Sequence, residues 1–366
     1  MTVKPKVLII QDVDEKSEAF LDFSKRFECI RYRPTTEEQF IADMKVAPYN
    51  DIAAVWAMWT GFIEFGPVRA EVIKALPPTV RVFGISSVGY DRYDVEQFSR
   101  QGIVLCNSPG MGSHAVAELA LFLVLSTFRF TSAFEHMLRQ ERNTIRCRNL
   151  MNSSGWDNAT GLPVTNPNPG LFFFGESVGG RPVQTAYSRR CGVVGAGSIG
   201  KEIMKRVAAC GMSVHYYTRT PLKPDVLATL PSDMVAHGSL EELLPNCDVI
   251  VLSVPLSAAT KHMLNARTMA LMPAGSRIVN VGRGPLIEEN ALLDALDSGH
   301  ISSAGLDVFE MEPVIQERLA KRWDVTLLPH VGSSAVDTIG AAEINIMANI
   351  EDVLAGGKGR TPVNAV

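Results

Sequence analysis

Residues 191–207 read CGVVGAGSIGKEIMKRV. Cys191 to Val194 have the length and composition of a buried strand, and Ile203, Val207 and Cys210 recur at helical spacing. Between them lie Gly195, Gly197 and Gly200 in the pattern G-x-G-x-x-G. Three such glycines alone mean little; between a strand and a helix they have the context that a dinucleotide loop requires. Gly195 permits the tight turn, Gly197 lets the backbone approach a pyrophosphate, and Gly200 lets the helix pack on the strand. Ser198 and Ile199 open that helix, whose first N–H groups and partial positive charge suit phosphate oxygens.

The next apolar run, Ser213 to Tyr217, predicts the second strand of the same unit. The residue just beyond such a strand reads the ribose. An acid there accepts hydrogen bonds from both hydroxyls of NAD and repels a 2′-phosphate. Here Thr218 holds that place, Arg219 and Thr220 follow, and no acid occurs until Asp225. A guanidinium grips phosphate with paired donors and Thr adds a hydroxyl, so the sequence favours NADP(H). NAD(H) stays open, with Arg219 turned to solvent or stacked on adenine.

Further outward, short apolar runs alternate with helical patterns. Val7–Ile10, Ile52–Trp56, Val82–Ser86 and Ile103–Cys106 are strand candidates before the nucleotide loop. Val249–Ser253, Arg277–Val281, Ala304–Val308 and Thr326–Leu328 follow it. Continuous apolar strands separated by helices imply parallel sheets covered on both faces. A single helix is predicted from about residue 113 to 142. From about 143 to 190 the chain is rich in Asn, Gly, Pro and Ser, with Phe172–Phe174 as an apolar patch. A structureless stretch of that length is unusual in a compact domain, so it reads as a lid, an insertion or a disordered excursion, its apolar patches favouring a segment that packs.

The chain has 366 residues, enough for two domains at roughly 100–200 each. Hydrophobic residues make up 46% and charged ones 20%, which excludes a disordered chain. A formal net charge of −4 argues against a nucleic-acid partner. No apolar run reaches the roughly 18 residues of a membrane span, and the N-terminus lacks the pattern of a secretory leader. The six cysteines are scattered, with no metal-ligand spacing, so reduced thiols, a cytoplasmic location and no metal are expected.

Three segments after later strands carry candidate chemistry: Val279-Asn-Val281-Gly-Arg283-Gly-Pro, Gly305-Leu-Asp307-Val-Phe-Glu310-Met-Glu312-Pro313, and Leu327-Leu-Pro-His330-Val-Gly332-Ser333. Strand ends of this kind are where ligands bind in a doubly wound sheet. With Val88-Gly89-Tyr-Asp91, Asn107-Ser-Pro-Gly110, Val116-Ala-Glu118, Val254-Pro255-Leu, Thr260 and the terminal Pro362-Val-Asn364, they resemble the D-isomer-specific 2-hydroxyacid dehydrogenase family over nearly the whole chain. Among subgroups the likeness is greatest to the fungal D-mandelate dehydrogenase type, beside glyoxylate/hydroxypyruvate reductase-like members.

The resemblance implies an α/β protein of two doubly wound parallel-sheet domains, with the active site in the cleft between them. A flavodoxin-like substrate domain would take residues 1–112 and 335–366, and a Rossmann cofactor domain 113–334. It implies reversible, NAD(P)H-dependent reduction of a 2-keto acid to a D-2-hydroxy acid by a homodimer. Arg283 would bind the substrate carboxylate and polarise the keto oxygen. His330 would exchange the proton, and Glu312 would hold its tautomer and favour its charged form. Glu310 would be a bystander, and the other six histidines surface or packing residues. Val88 and Gly89 would offer backbone N–H groups to the carboxylate, with Ser87 departing from a common Gly. Asp307 would hold the nicotinamide carboxamide. Val254, Pro255, Thr260, Val281 and Gly332 would complete the cofactor contacts. Trp56, Met58 and Trp59 read equally as core or as the wall of a roomy apolar pocket. Two rivals stand beside this reading: a glyoxylate or hydroxypyruvate reductase, and a nucleotide-sensing, corepressor-like binding protein.

Overall fold

The structure is a computed structural model, and it describes residues 3–64, 66–152, 155–164 and 174–366. The chain divides into two units, Met1–Gly112 with Ser334–Val366, and Ser113–Ser333.

In the first unit, β1 (Lys6–Ile10), β2 (Glu28–Arg31), β3 (Ile52–Ala57), β4 (Val82–Ile85) and β5 (Val104–Cys106) form a parallel sheet in the order β2-β1-β3-β4-β5. That is the flavodoxin-like winding. One face packs Phe40, Phe62, Phe83 and Phe98; the other packs Phe23, Trp56 and the apolar side of the Val336–Leu354 helix. Gly84 allows the latter approach, since a Cβ there would lie 2.5 Å from Ile346 Cγ2. The terminal Asn364 finishes the sheet. Its Oδ1 accepts the Leu105 N–H at 2.7 Å and its Nδ2 donates to Ile103 O at 2.9 Å.

The second unit begins with helices, and four two-residue strands follow them: β6 (Trp156–Asp157), β7 (Leu162–Pro163), β8 (Ser177–Val178) and β9 (Arg181–Pro182), paired as two hairpins. Its main sheet comprises β10 (Arg190–Val194), β11 (Ser213–Tyr217), β12 (Val235–His237), β13 (Val249–Leu252), β14 (Ser276–Asn280), β15 (Ile301–Leu306) and β16 (Val325–Leu327). All seven run parallel in the order β12-β11-β10-β13-β14-β15-β16, the dinucleotide-binding winding with one further strand.

One expectation needs correction, and two open readings resolve. The single helix over 113–142 is two, Ser113–Arg129 and Thr131–Glu141, bent by 68°. Phe130 makes the break, with φ 50 in the left-handed region. No glycine or proline marks it; burial of the Phe130 ring in a small cluster with Met137, Cys147, Met151 and Val178 accounts for it.

Described parts of the 143–190 segment pack on the same cluster. The Thr144–Met151 helix and both hairpins fold onto it. Arg181 then ties the hairpin to the main sheet, donating to Asp324 Oδ2 at 2.7 Å and to Ser302 O at 2.6 Å, with its guanidinium 4.8 Å from the Trp156 ring. Phe172 and Phe173 lie outside the described residues, and Phe174 is exposed.

Trp56 is core: it is fully buried inside β3, and its indole N–H donates to Ser86 Oγ at 2.9 Å. Met58 lies partly exposed just beyond, and the Trp59 side chain lies outside the described residues.

Candidate active site

The glycine loop gives each glycine a different task. Gly195 has φ 99, and a Cβ on it would meet Val254 Cγ1 at 2.6 Å. A Cβ on Gly200 would fall 1.9 Å from Gly195 O, so the helix over Ser198–Ala209 packs where only hydrogen fits. At Gly197 a Cβ would meet nothing within 4 Å. Gly197 and Ser198 are exposed at the N-terminus of that 12-residue helix, leaving clear space where a pyrophosphate would lie. These residues fit a dinucleotide. Ile199 is half-buried, and Ser253 Oγ clasps the turn by donating toward Val194 O and Gly195 O, both at 3.1 Å.

Thr218 follows β11 directly and is half-buried, while Arg219 and Thr220 are exposed. After β13, Val254 and Pro255 begin a loop that Thr260 staples. Its hydroxyl donates to Pro255 O and accepts the Ser257 N–H, both at 2.8 Å. Val281 is buried, its N–H bonded to Leu252 O at 3.2 Å.

At the ends of β14, β15 and β16 the acid–base residues assemble. The side chain of Asn280 fixes the Arg283 turn, with Nδ2 donating to Arg283 O at 2.8 Å and Oδ1 accepting the Gly282 N–H at 3.0 Å. Arg283 itself donates to Gly282 O at 2.8 Å. His330 Nδ1–H donates to Glu312 Oε2 at 3.0 Å, and Glu312 Oε1 accepts the Phe309 N–H at 3.0 Å. A carboxylate can only accept, so this bond puts the Nδ1 proton in place and leaves Nε2 as the nitrogen that gains or loses one.

Asp307 braces the His330 backbone. It is buried, and its Oδ1 and Oδ2 accept the N–H groups of Val331 at 2.8 Å and Gly332 at 2.9 Å. Burial pushes its carboxyl upward, and those two donors work against the rise. His330 sits at φ 55, a left-handed conformation that costs a non-glycine residue of order 1 kcal/mol or more. The Asp307 bonds to the next two residues hold it there. Gly332 is required for this, since a Cβ would sit 2.8 Å from Asp307 Oδ2.

Glu310 bonds a different histidine. It accepts from His262 Nε2 at 2.6 Å and from the Glu289 N–H at 3.0 Å. Among the remaining histidines, His215 and His237 share a 2.9 Å bond, and His300 donates to Met269 O at 2.9 Å. Nothing in the sequence flanking His262 set it apart; the only signal was its place near Thr260. In the first unit, Asn107 Nδ2 donates to Val88 O at 2.8 Å, and Ser87 Oγ donates to Gly89 O at 2.9 Å. Ser87 thus stiffens the turn where a Gly is common.

The model of the family described as "D-isomer specific 2-hydroxyacid dehydrogenase, NAD binding domain" matches residues 134–332. The chain is 30% identical to 4-methyl-2-oxopentanoate reductase A of Aspergillus oryzae, over 97% of this chain and 96% of that protein. It superposes on the holo form of D-mandelate dehydrogenase from Rhodotorula graminis with a TM-score of 0.84 and 31% identity, covering 99% and 98% of the two chains. An NADPH-dependent glyoxylate/hydroxypyruvate reductase from Sinorhizobium meliloti, solved with NADP and malonate, matches with a TM-score of 0.75 and 27% identity over the full length of both. The chain therefore belongs to the D-isomer-specific 2-hydroxyacid dehydrogenases, oxidoreductases that interconvert 2-keto acids and 2-hydroxy acids with a nicotinamide dinucleotide.

Proposed function

We propose that this chain reduces a branched or aryl 2-keto acid to the D-2-hydroxy acid, with NADPH preferred and NADH accepted. The observation that carries the reading is the His330–Glu312 pair, 3.0 Å apart, on the same strand ends as Arg283 in a sheet that also bears the dinucleotide loop. Arg283 binds the carboxylate and draws electron density from the keto oxygen. His330 gives the Nε2 proton to that oxygen as C2 is reduced, and takes it back in the reverse direction. Glu312 keeps the imidazole in the one tautomer that allows this. The cofactor, when bound, supplies or accepts the hydride. The names of the Aspergillus and Rhodotorula relatives support a substrate larger than glyoxylate.

Two features support NADPH. No acid follows β11, and the exposed Arg219 forms no ion pair among the described residues. A homodimer through the second unit accords with its exposed apolar side chains Phe122, Leu125, Leu138 and Ile145, and sedimentation tests it. All six cysteines are free thiols, which suits a reducing, cytoplasmic setting.

The deciding experiment is initial-rate oxidation of NADPH and of NADH with glyoxylate, hydroxypyruvate, phenylglyoxylate, phenylpyruvate and 4-methyl-2-oxopentanoate. A branched or aryl acid with NADPH should give the highest kcat/KM, and Thr218→Asp with Arg219→Ala should move preference toward NADH. Glyoxylate or hydroxypyruvate in first place would overturn the substrate class, and NADH in first place the cofactor. Cofactor binding without turnover of any acid would favour a nucleotide sensor.

A further inference from the structure

Three loops meet around the Arg283 turn, and a second histidine–carboxylate pair joins them. The loop after β13 brings His262, whose backbone N–H donates to Pro285 O at 2.8 Å, two residues beyond Arg283. Leu264 N–H to Leu286 O at 3.1 Å and Glu288 N–H to Leu264 O at 2.9 Å extend the contact into a short parallel bridge. The loop after β15 brings Glu310. One carboxylate oxygen accepts His262 Nε2–H at 2.6 Å and the other the Glu289 N–H at 3.0 Å. In return, the Glu310 N–H donates to Glu289 Oε1 at 2.7 Å. Directly between these ties, Gly284 packs on the Phe309 backbone so closely that a Cβ would lie 1.8 Å from its carbonyl.

We propose that His262 and Glu310 are positioning residues: their bond clamps the Arg283 turn to the loop that presents Glu312, and so sets the spacing between carboxylate-binding arm and proton donor. This rests on the reaction assigned to His330 and Arg283 above. Phe309 anchors the start of the Glu312 loop in the core, but the stretch around Glu312 and Pro313 is apolar and exposed rather than packed. Met311 and Val314, on either side of Glu312 and Pro313, are 66% and 67% exposed. Polar ties at Phe309 and Glu310 help to place Glu312, and the Glu310 side chain reaches across to His262, on the segment bridged to the Arg283 turn. His262 accepts a left-handed φ of 51 in making its two contacts. A reaction that needs carboxylate, carbonyl and acid aligned loses about ten- to a hundredfold when one of them drifts by a fraction of an ångström to an ångström.

The test uses the full-length enzyme and its best keto acid. His262→Ala and Glu310→Ala should each lower kcat/KM by about ten- to a hundredfold, with kcat falling even at saturation. NADPH affinity by fluorescence titration should stay within about twofold, because neither residue lies on the glycine loop. His262→Gln places an amide N–H near the position of Nε2–H, so it should recover most of the loss without restoring an ionisable ring. The double variant should be no worse than either single one. Wild-type kcat/KM in the folded Ala variants would overturn the clamp. So would a loss that His262→Gln fails to recover and that tracks melting temperature and NADPH affinity together. His330→Ala runs alongside. If it keeps turnover, the reaction assignment fails; if it is dead while His262→Ala and Glu310→Ala are normal, the clamp alone fails.

Discussion

At the β14–β16 end of the second sheet, Asp307 gives both carboxylate oxygens to backbone N–H groups, Asn280 gives both side-chain atoms to the Arg283 turn, and Glu312 bridges Phe309 and His330. At the β10–β11 end of the same edge, Gly197 and Ser198 are exposed, no atom stands near the missing Gly197 side chain, and Arg219 reaches solvent. The contrast follows from what each end handles. Proton transfer needs donors held to within a few tenths of an ångström, so that half spends its polar groups on itself. A dinucleotide brings its own phosphates and hydroxyls, so the other half must leave room and backbone donors open.

The harshest way to break this contrast is to remove the proton donor. His330→Ala should reduce turnover by about 10²–10⁴-fold while NADPH affinity stays within about twofold. Fluorescence titration of the folded variant checks it. A large loss of cofactor binding would mean that the two ends are one cooperative structure.

The open end predicts the opposite dependence. Gly197→Ala meets no protein atom, so the melting temperature should hold while NADPH affinity falls by at least about tenfold, roughly 1.4 kcal/mol. Gly200→Ala would press on Gly195 O and should lower melting as well, since overpacking of this kind costs about 1–3 kcal/mol. Equal melting in the two variants would show that Gly197 is structural.

Legibility in the sequence differs between the ends in the same sense. Gly195, Gly197 and Gly200 are read locally because their strand–turn–helix setting spans a dozen adjacent residues. The β10–β16 strands, apart from β12, announce themselves by apolar runs. β2 and β12 lie at sheet edges and carry polar or exposed positions such as Glu28 and Val235, so no run marks them. The left-handed Phe130 and the described hairpins between residues 155 and 182 depend on burial by residues distant in the chain, which no local pattern encodes. For the acid–base residues, the family resemblance supplied Arg283, Glu312 and His330. It did not supply the ties that place them: Asp307 to Val331 and Gly332, or Glu310 to His262, each spanning more than twenty residues.

The mildest change sharpens the account of the tied end. Glu312→Gln keeps a group of nearly the same shape beside His330 but removes its negative charge. A negative charge in hydrogen-bond contact favours the charged form of its partner, so its removal takes support from the protonated ring. Reduction consumes protonated His330, and the alkaline limb of its kcat/KM profile should move to lower pH. Oxidation consumes the neutral ring, and its profile should rise at correspondingly lower pH. The maximal rate should drop far less than in His330→Ala, because the acid is still present. The measurement is kcat/KM against pH in both directions, with Glu310→Gln as the control. Glu310 touches His262 and not His330, so its variant should lower the rate and leave the limb in place. If Glu310→Gln moves the limb and Glu312→Gln does not, the charge that His330 feels is carried by the other carboxylate, and the 3.0 Å bond between His330 and Glu312 is not the one that governs the proton.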